Sequence, residues 1–183
     1  MLQEEVRDLY AKAAYDIALM RASELEEACR NHFGQNHPVT ASAAVTISVM
    51  HKMLGQYSEA KSKNYDALNI YKSIVGETHP SYATTLHNLG VLEKDQANLD
   101  ESLSGMERVQ ILESSILQLQ TSLNLRQKIH GEQHPDTIAT MTNLGSAMAT
   151  QLFQDLEVST KHNKSKRKLS SKSKKNGLQL KLI

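Results

Sequence analysis

The chain has 183 residues, 39% of them hydrophobic and 22% charged, with no tryptophan, three prolines and one cysteine. That is enough chain for one domain with an aliphatic core, and the single cysteine, Cys29, excludes an internal disulfide. The net charge of +1 hides a segregation: residues 1–157 hold all 20 acids and 12 of the 21 bases, net −8, whereas residues 158–183 hold nine bases and no acid. No run of 18 apolar residues is present, so no membrane span is expected, and Met1 to Tyr10 lacks the apolar run of a secretory signal. These features set the expectation of a cytoplasmic protein.

The apolar periodicity predicts six helices, at 2–32, 38–54, 57–75, 80–96, 99–130 and 135–152. A five-residue signature punctuates them. Gly34-Gln35-Asn36-His37-Pro38 recurs as Gly76-Glu77-Thr78-His79-Pro80, 42 residues on, and as Gly131-Glu132-Gln133-His134-Pro135, 55 further. The glycine suits a left-handed helix stop and the proline the first position of the next helix, where a missing N–H costs nothing. Gly55 marks a tight turn inside the unit. Small residues recur at fixed places, at Ala18, Ser48, Ala60, Ala67, Gly90 and Gly145, and would let antiparallel helices approach closely.

Each unit is therefore a helix–turn–helix. Its second halves also align: Gly55 to Ala60 with Ala97 to Ser102 and with Ala13 to Ala18, and Ala67 to Ile70 with Ser122 to Leu125. The second complete unit carries 13 extra residues near Leu103 to Ser115. Thirteen residues turn a continuous helix about 220° past whole turns, so a bulge, a kink or a longer hairpin is expected there, with Gly105 as a place to break. The unit after Gly131 departs from the pattern, with Leu152 and Glu157 where glycine and alanine are expected. The repeats thus divide residues 1–157 into a partial unit (1–33), two complete units (34–75 and 76–130) and a second partial unit (131–157). A solenoid that begins and ends mid-repeat leaves apolar ends for self-association or a partner to cover, or derives from a truncated or spliced longer protein. Residues 158–183, basic and poor in apolar side chains, are expected to be disordered.

Gly-x-x-His-Pro, then Asn-Leu-Gly at Asn88-Leu89-Gly90 and Asn143-Leu144-Gly145, then Gly-x-Tyr-x-Glu-Ala at Gly55 to Ala60, resembles the roughly 42-residue tetratricopeptide repeat of the kinesin-light-chain and nephrocystin-3 type. The resemblance covers about residues 10–150. It implies an all-α, α-α superhelical solenoid whose inner helices line a concave groove for a partner peptide or helix. By the same resemblance Asn88 and Asn143 lie on that groove, where an amide can donate to and accept from a peptide backbone; the alternative is a structural bond to a neighbouring repeat. Thr46 takes this place in the first full unit. His87 sits beside Asn88. Lys52 and Lys94 match one another one turn along and would attract an acidic peptide or keep the face solvated.

No phosphate loop, metalloprotease pair or nucleophile elbow is present, so neither an enzyme nor a cofactor is expected. The three His-Pro histidines recur once per unit and are expected at helix starts rather than around a metal. Cys29 reads as core. Lys164, Lys166, Arg167 and Lys168 form a candidate nuclear localisation signal, with nucleic-acid readout ranked below it. The reading is thus an interaction scaffold or adaptor for a protein partner. Its rivals are a regulatory or sensor fragment of a larger signalling ATPase, and a nuclear or nucleic-acid-associated protein acting through the basic tail.

Overall fold

Seven α-helices and no strand make up the described residues of the computed structural model, which cover the backbone of residues 2–179 and the side chains of residues 2–160. The helices are α1 (Leu2–Ala11), α2 (Tyr15–Phe33), α3 (Pro38–Met53), α4 (Tyr57–Ile74), α5 (Pro80–Leu99), α6 (Gly105–His130) and α7 (Pro135–Gln179). Each packs on its neighbours in the chain, so α1/α2, α3/α4 and α5/α6 are successive hairpins and α7 closes onto α6 and α5. None is long and apolar enough to cross a membrane.

The repeated signature does what its residue types dictate. In all three copies the histidine is the residue before the proline-started helix, and its ring caps that helix. Nδ1 of His37, His79 and His134 accepts from the backbone N–H of Val39, Ser81 and Asp136 at 3.2, 3.1 and 3.2 Å. The preceding glycine differs from the expected left-handed stop. Gly34 and Gly131 combine φ of 92° and 86° with ψ of 164° and 171°, an extended mirror-image region that glycine alone enters readily.

The core is small-residue and aliphatic. Ala41, Ala44, Ala67 and Tyr71 join α3 to α4, and Ala60, Leu68, Leu86, Leu89 and Leu92 join α4 to α5. Leu119, Leu123, Leu144 and Ala147 join α6 to α7. Cys29 is buried and unpaired, as its apolar setting predicts.

Three further expectations are corrected. Residues 2–32 are not one helix: the chain turns at Lys12 to Ala14, with Ala13 at φ 56°. Ala13 stands 42 residues before Gly55, whose φ is 72°, so the repeat's turn is present with alanine in the glycine's place. The second correction concerns the 13 extra residues. They lengthen both arms of the α5/α6 hairpin and move its turn to Asp100 to Ser104, so α6 begins at Gly105 rather than 99. Ser104 and Glu107 form a capping box that fixes this start. Ser115, not Ser102, then takes the place of Ala60. The third correction is that α7 does not stop at 152. Its backbone stays helical to Gln179, through a segment that lacks proline and is rich in the good helix former Lys. The side chains of Lys164, Lys166, Arg167 and Lys168 lie outside the described residues.

Candidate functional site

The residues selected from sequence fall on two of the first helices of the hairpins, α3 and α5, and on α7. Lys52, His87 and Asn88 line one open concavity of about 210 Å³, together with Ser48, Val49, Asn64 and Val91. Lys94 and Asn143 join α5 to α7 beyond it.

Asn88 and Asn143, equivalent in the repeat, have different surroundings. Asn143 is engaged at both ends of its amide: Oδ1 accepts from Lys94 Nζ at 2.8 Å, and Nδ2 donates to the Ala139 carbonyl at 3.1 Å. Asn88 is half-buried, and no hydrogen bond ties its amide among the described residues. The lysines are engaged as well. Lys52 donates to Asp95 Oδ2 at 3.0 Å, and Lys94 lies 3.9 Å from the other oxygen of the same carboxylate. Asp95 therefore offsets much of the positive charge that these two side chains would offer an acidic ligand.

His87 belongs to a buried polar network. Its Nδ1 lies 3.1 Å from Thr140 Oγ1, which in turn accepts from Arg126 Nη1 at 2.9 Å. Arg126 also donates to the Asp136 carbonyl and to Thr84 Oγ1, so one guanidinium ties α5, α6 and α7 together. Burial, with the adjacent Arg126 charge next in weight, holds the His87 ring down to about 4, against an ordinary 6.5. The imidazole is thus neutral near pH 7.

Two features escaped the sequence. Asn64 on α4 lines the same concavity with its Oδ1 buried and unpartnered, while its Nδ2 donates to Ser48 and to the Ala60 carbonyl. The signal was an amide inside the otherwise apolar stripe Ala60, Ala67, Leu68, Tyr71. The second is a larger concavity, about 590 Å³, between α1, α2 and α3, lined by Val6, Tyr10, Leu25, Thr46, Val49 and Met50 among others. Val49 lines both hollows, so they adjoin along α3. Reading residues 2–32 as one helix concealed this hollow, because its wall is α1.

No group of three or more potential metal ligands is assembled among the described residues. Each His-Pro histidine instead caps its own helix.

Residues 40–81 match the family model described as tetratricopeptide repeat. No curated protein sequence matches the chain. Among solved structures it resembles BtubC (BKLC) from P. vanneervenii, with a TM-score of 0.64 and 18% identity, over 81% of this chain and 55% of that one. The chain thus spans about half the length of that neighbour. Residues 40–81 thus match a tetratricopeptide repeat, and the chain shares the all-α solenoid fold of that neighbour.

Proposed function

We propose that the chain is a protein-interaction scaffold that holds an extended peptide or a helix of a partner protein along α1, α3 and α5. Tetratricopeptide repeats generally mediate protein–protein interaction. The observation that carries the finer reading is the pair of adjoining hollows, about 590 and 210 Å³, which share Val49 and contain the untied amide of Asn88 and the unpartnered Oδ1 of Asn64. A peptide backbone supplies alternating donors and acceptors and would satisfy the Asn88 amide. Asn143, already bonded at both ends, contributes by positioning Lys94. The mechanism is recognition by shape and a few polar anchors, with no chemistry performed on the partner.

The test compares partners captured by the full chain and by its Asn88→Ala and Asn88→Ala/Asn143→Ala variants. The expected result is about a tenfold loss of affinity for Asn88→Ala with an unchanged melting temperature, the scale of one lost hydrogen bond with a buried partner left unmet. Unchanged affinity in both variants would exclude this groove.

We propose that residues 1–157 form the interaction module and that 158–183 act as a basic extension of it. Nine bases without an acid support a nuclear import signal, and the protein is proposed to be cytoplasmic with entry into the nucleus through that segment. A fluorescent fusion lacking 158–183 should lose nuclear signal; identical distributions would remove the idea.

A further inference from the structure

In the second complete repeat α5 is covered by α6 along the stripe Ala83, Leu86, Gly90, Glu93 and Ala97. Four of these residues retain 0, 4, 2 and 2% of their surface, and Gly90 is buried too. Moving 55 residues along, the repeat places Ile138, Met141, Gly145, Met148 and Leu152 on the same face of α7. There the four large side chains are 47, 47, 54 and 61% exposed. A Cβ built on Gly90 meets Leu119, whereas one built on Gly145 meets nothing within 4 Å. The stripe that a repeat of this fold covers with its next helix is open on α7 among the described residues.

We propose that a second copy of this chain covers it, the two α7 helices crossing antiparallel on a two-fold axis at Gly145. Three observations select a copy over a foreign helix. First, the stripe matches itself about Gly145. Ile138 and Leu152 lie seven residues to either side, and Met141 and Met148 lie four before and three after. A two-fold axis there sets each leucine on an isoleucine and the methionines side by side, the self-complementarity that an isologous contact requires. The spacing is that of a narrow antiparallel seam, and glycine at its centre lets the backbones approach closely.

Second, residues 137–154 contain no charged side chain, in a chain where 22% of residues are charged. Two bodies of net −8 can therefore meet on this face without bringing like charges together within the seam. The exposed residues between the apolar positions, Thr142, Ser146 and Ala149, are small and do not hold the helices apart. Third, the area is sufficient. Ile138, Met141, Met148 and Leu152, with Leu156 at the edge, expose roughly 100 Å² each, so two copies would remove up to about 1,000 Å² from water when fully covered, the lower bound for a specific interface. This pairing stands independently of the peptide groove, since none of these residues lines either hollow.

The full chain, measured by sedimentation velocity over about a hundredfold range of concentration, should be a dimer that dissociates on dilution. Met148→Glu/Leu152→Glu should be monomeric throughout that range with a melting temperature close to that of the dissociated wild type, because both side chains lie on the surface of the single copy. Under mild oxidation Gly145→Cys should form a disulfide-linked dimer much faster than Ser102→Cys, which sits on the exposed α5–α6 turn. A wild type that is monomeric at every concentration overturns the proposal. So does a dimer that survives the double glutamate variant, or cross-linking no faster at 145 than at 102. Species that grow beyond the dimer with concentration would indicate open end-to-end stacking and would overturn it as well.

Discussion

Ser115 Oγ donates to the Gly90 carbonyl at 2.7 Å, and this bond draws α6 onto α5 so closely that a Cβ on Gly90 would lie 2.6 Å from Leu119 Cγ. The same contact has a counterpart one repeat earlier, where Ser48 Oγ donates to the Ala60 carbonyl at 2.8 Å across α3 and α4. Small residues at these positions set the distance between the helices of each hairpin. Gly90→Ala should therefore cost about 2 kcal/mol, because Leu119 and the α6 backbone must both shift. Gly145→Ala, on a helix face with open space, should gain up to about 1 kcal/mol from helix propensity in dilute solution, where single copies prevail. Urea denaturation of the two variants gives the contrast, and equal effects would refute the packing account.

The turn between α1 and α2 supplies a second contrast. Ala13 holds φ 56° where the equivalent Gly55 holds φ 72°. A left-handed alanine costs roughly 1–2 kcal/mol, and glycine gives back about half of that gain through its greater freedom when unfolded. Ala13→Gly is expected to stabilise the chain by about 0.5 kcal/mol, and Gly55→Ala to destabilise it by about 1 kcal/mol or more. Thermal melts of both variants measure the signs. Destabilisation by Ala13→Gly would mean that the turn is not held in this conformation.

That alanine also explains what the sequence concealed. The bounds of α3 and α4 were readable to within a residue because Gly34, His37, Pro38, Gly55 and Gly76 each carry out a distinct backbone task. At Ala13 the task persists without the residue that advertises it, and two helices read as one. The start of α6 was missed for a different reason. Alignment to Ala60 selected Ser102, whereas packing selects Ser115, because only there does a small side chain meet Gly90. Site residues were legible as positions and not as states. Nothing in Asn-Leu-Gly tells that Asn143 will be held by Lys94 while Asn88 stays untied, since that depends on the lysine one hairpin away.

The histidine caps make a third prediction. Each ring accepts one otherwise orphaned backbone N–H at a helix start, a role usually taken by Asn, Asp or Ser. His79→Ala should cost about 1 kcal/mol, and His79→Asn should recover most of it. Chemical denaturation of the pair decides the matter: if asparagine is no better than alanine, the cap is not what the histidine contributes.

His87 gives the fold a directional dependence on pH. Its ring takes up a proton only near pH 4 in the folded chain, against about 6.5 ordinarily. Above pH 6.5 neither state is protonated at this site. As pH falls from 6.5 to 4 the unfolded chain gains a proton that the folded chain refuses, so stability drops progressively, by about 3 kcal/mol in total at 1.36 kcal/mol per unit. Burial drives the shift, and Arg126, Lys94 and Lys52 add to it while Asp136 opposes it. Glu93 works in the other direction, because burial raises its carboxyl and its contribution is fullest at low pH, fading as pH rises through the raised value. The two are separated by substitution. His87→Asn should flatten the acid limb of the stability profile between pH 6.5 and 4 and leave the Glu93 contribution in place. Arg126→Met should raise the His87 value toward 6.5, readable in the imidazole NMR titration, and so narrow the window over which acid destabilises the chain. A titration midpoint for His87 near 6.5 in the wild type would show that the ring is not enclosed by α5, α6 and α7 as described.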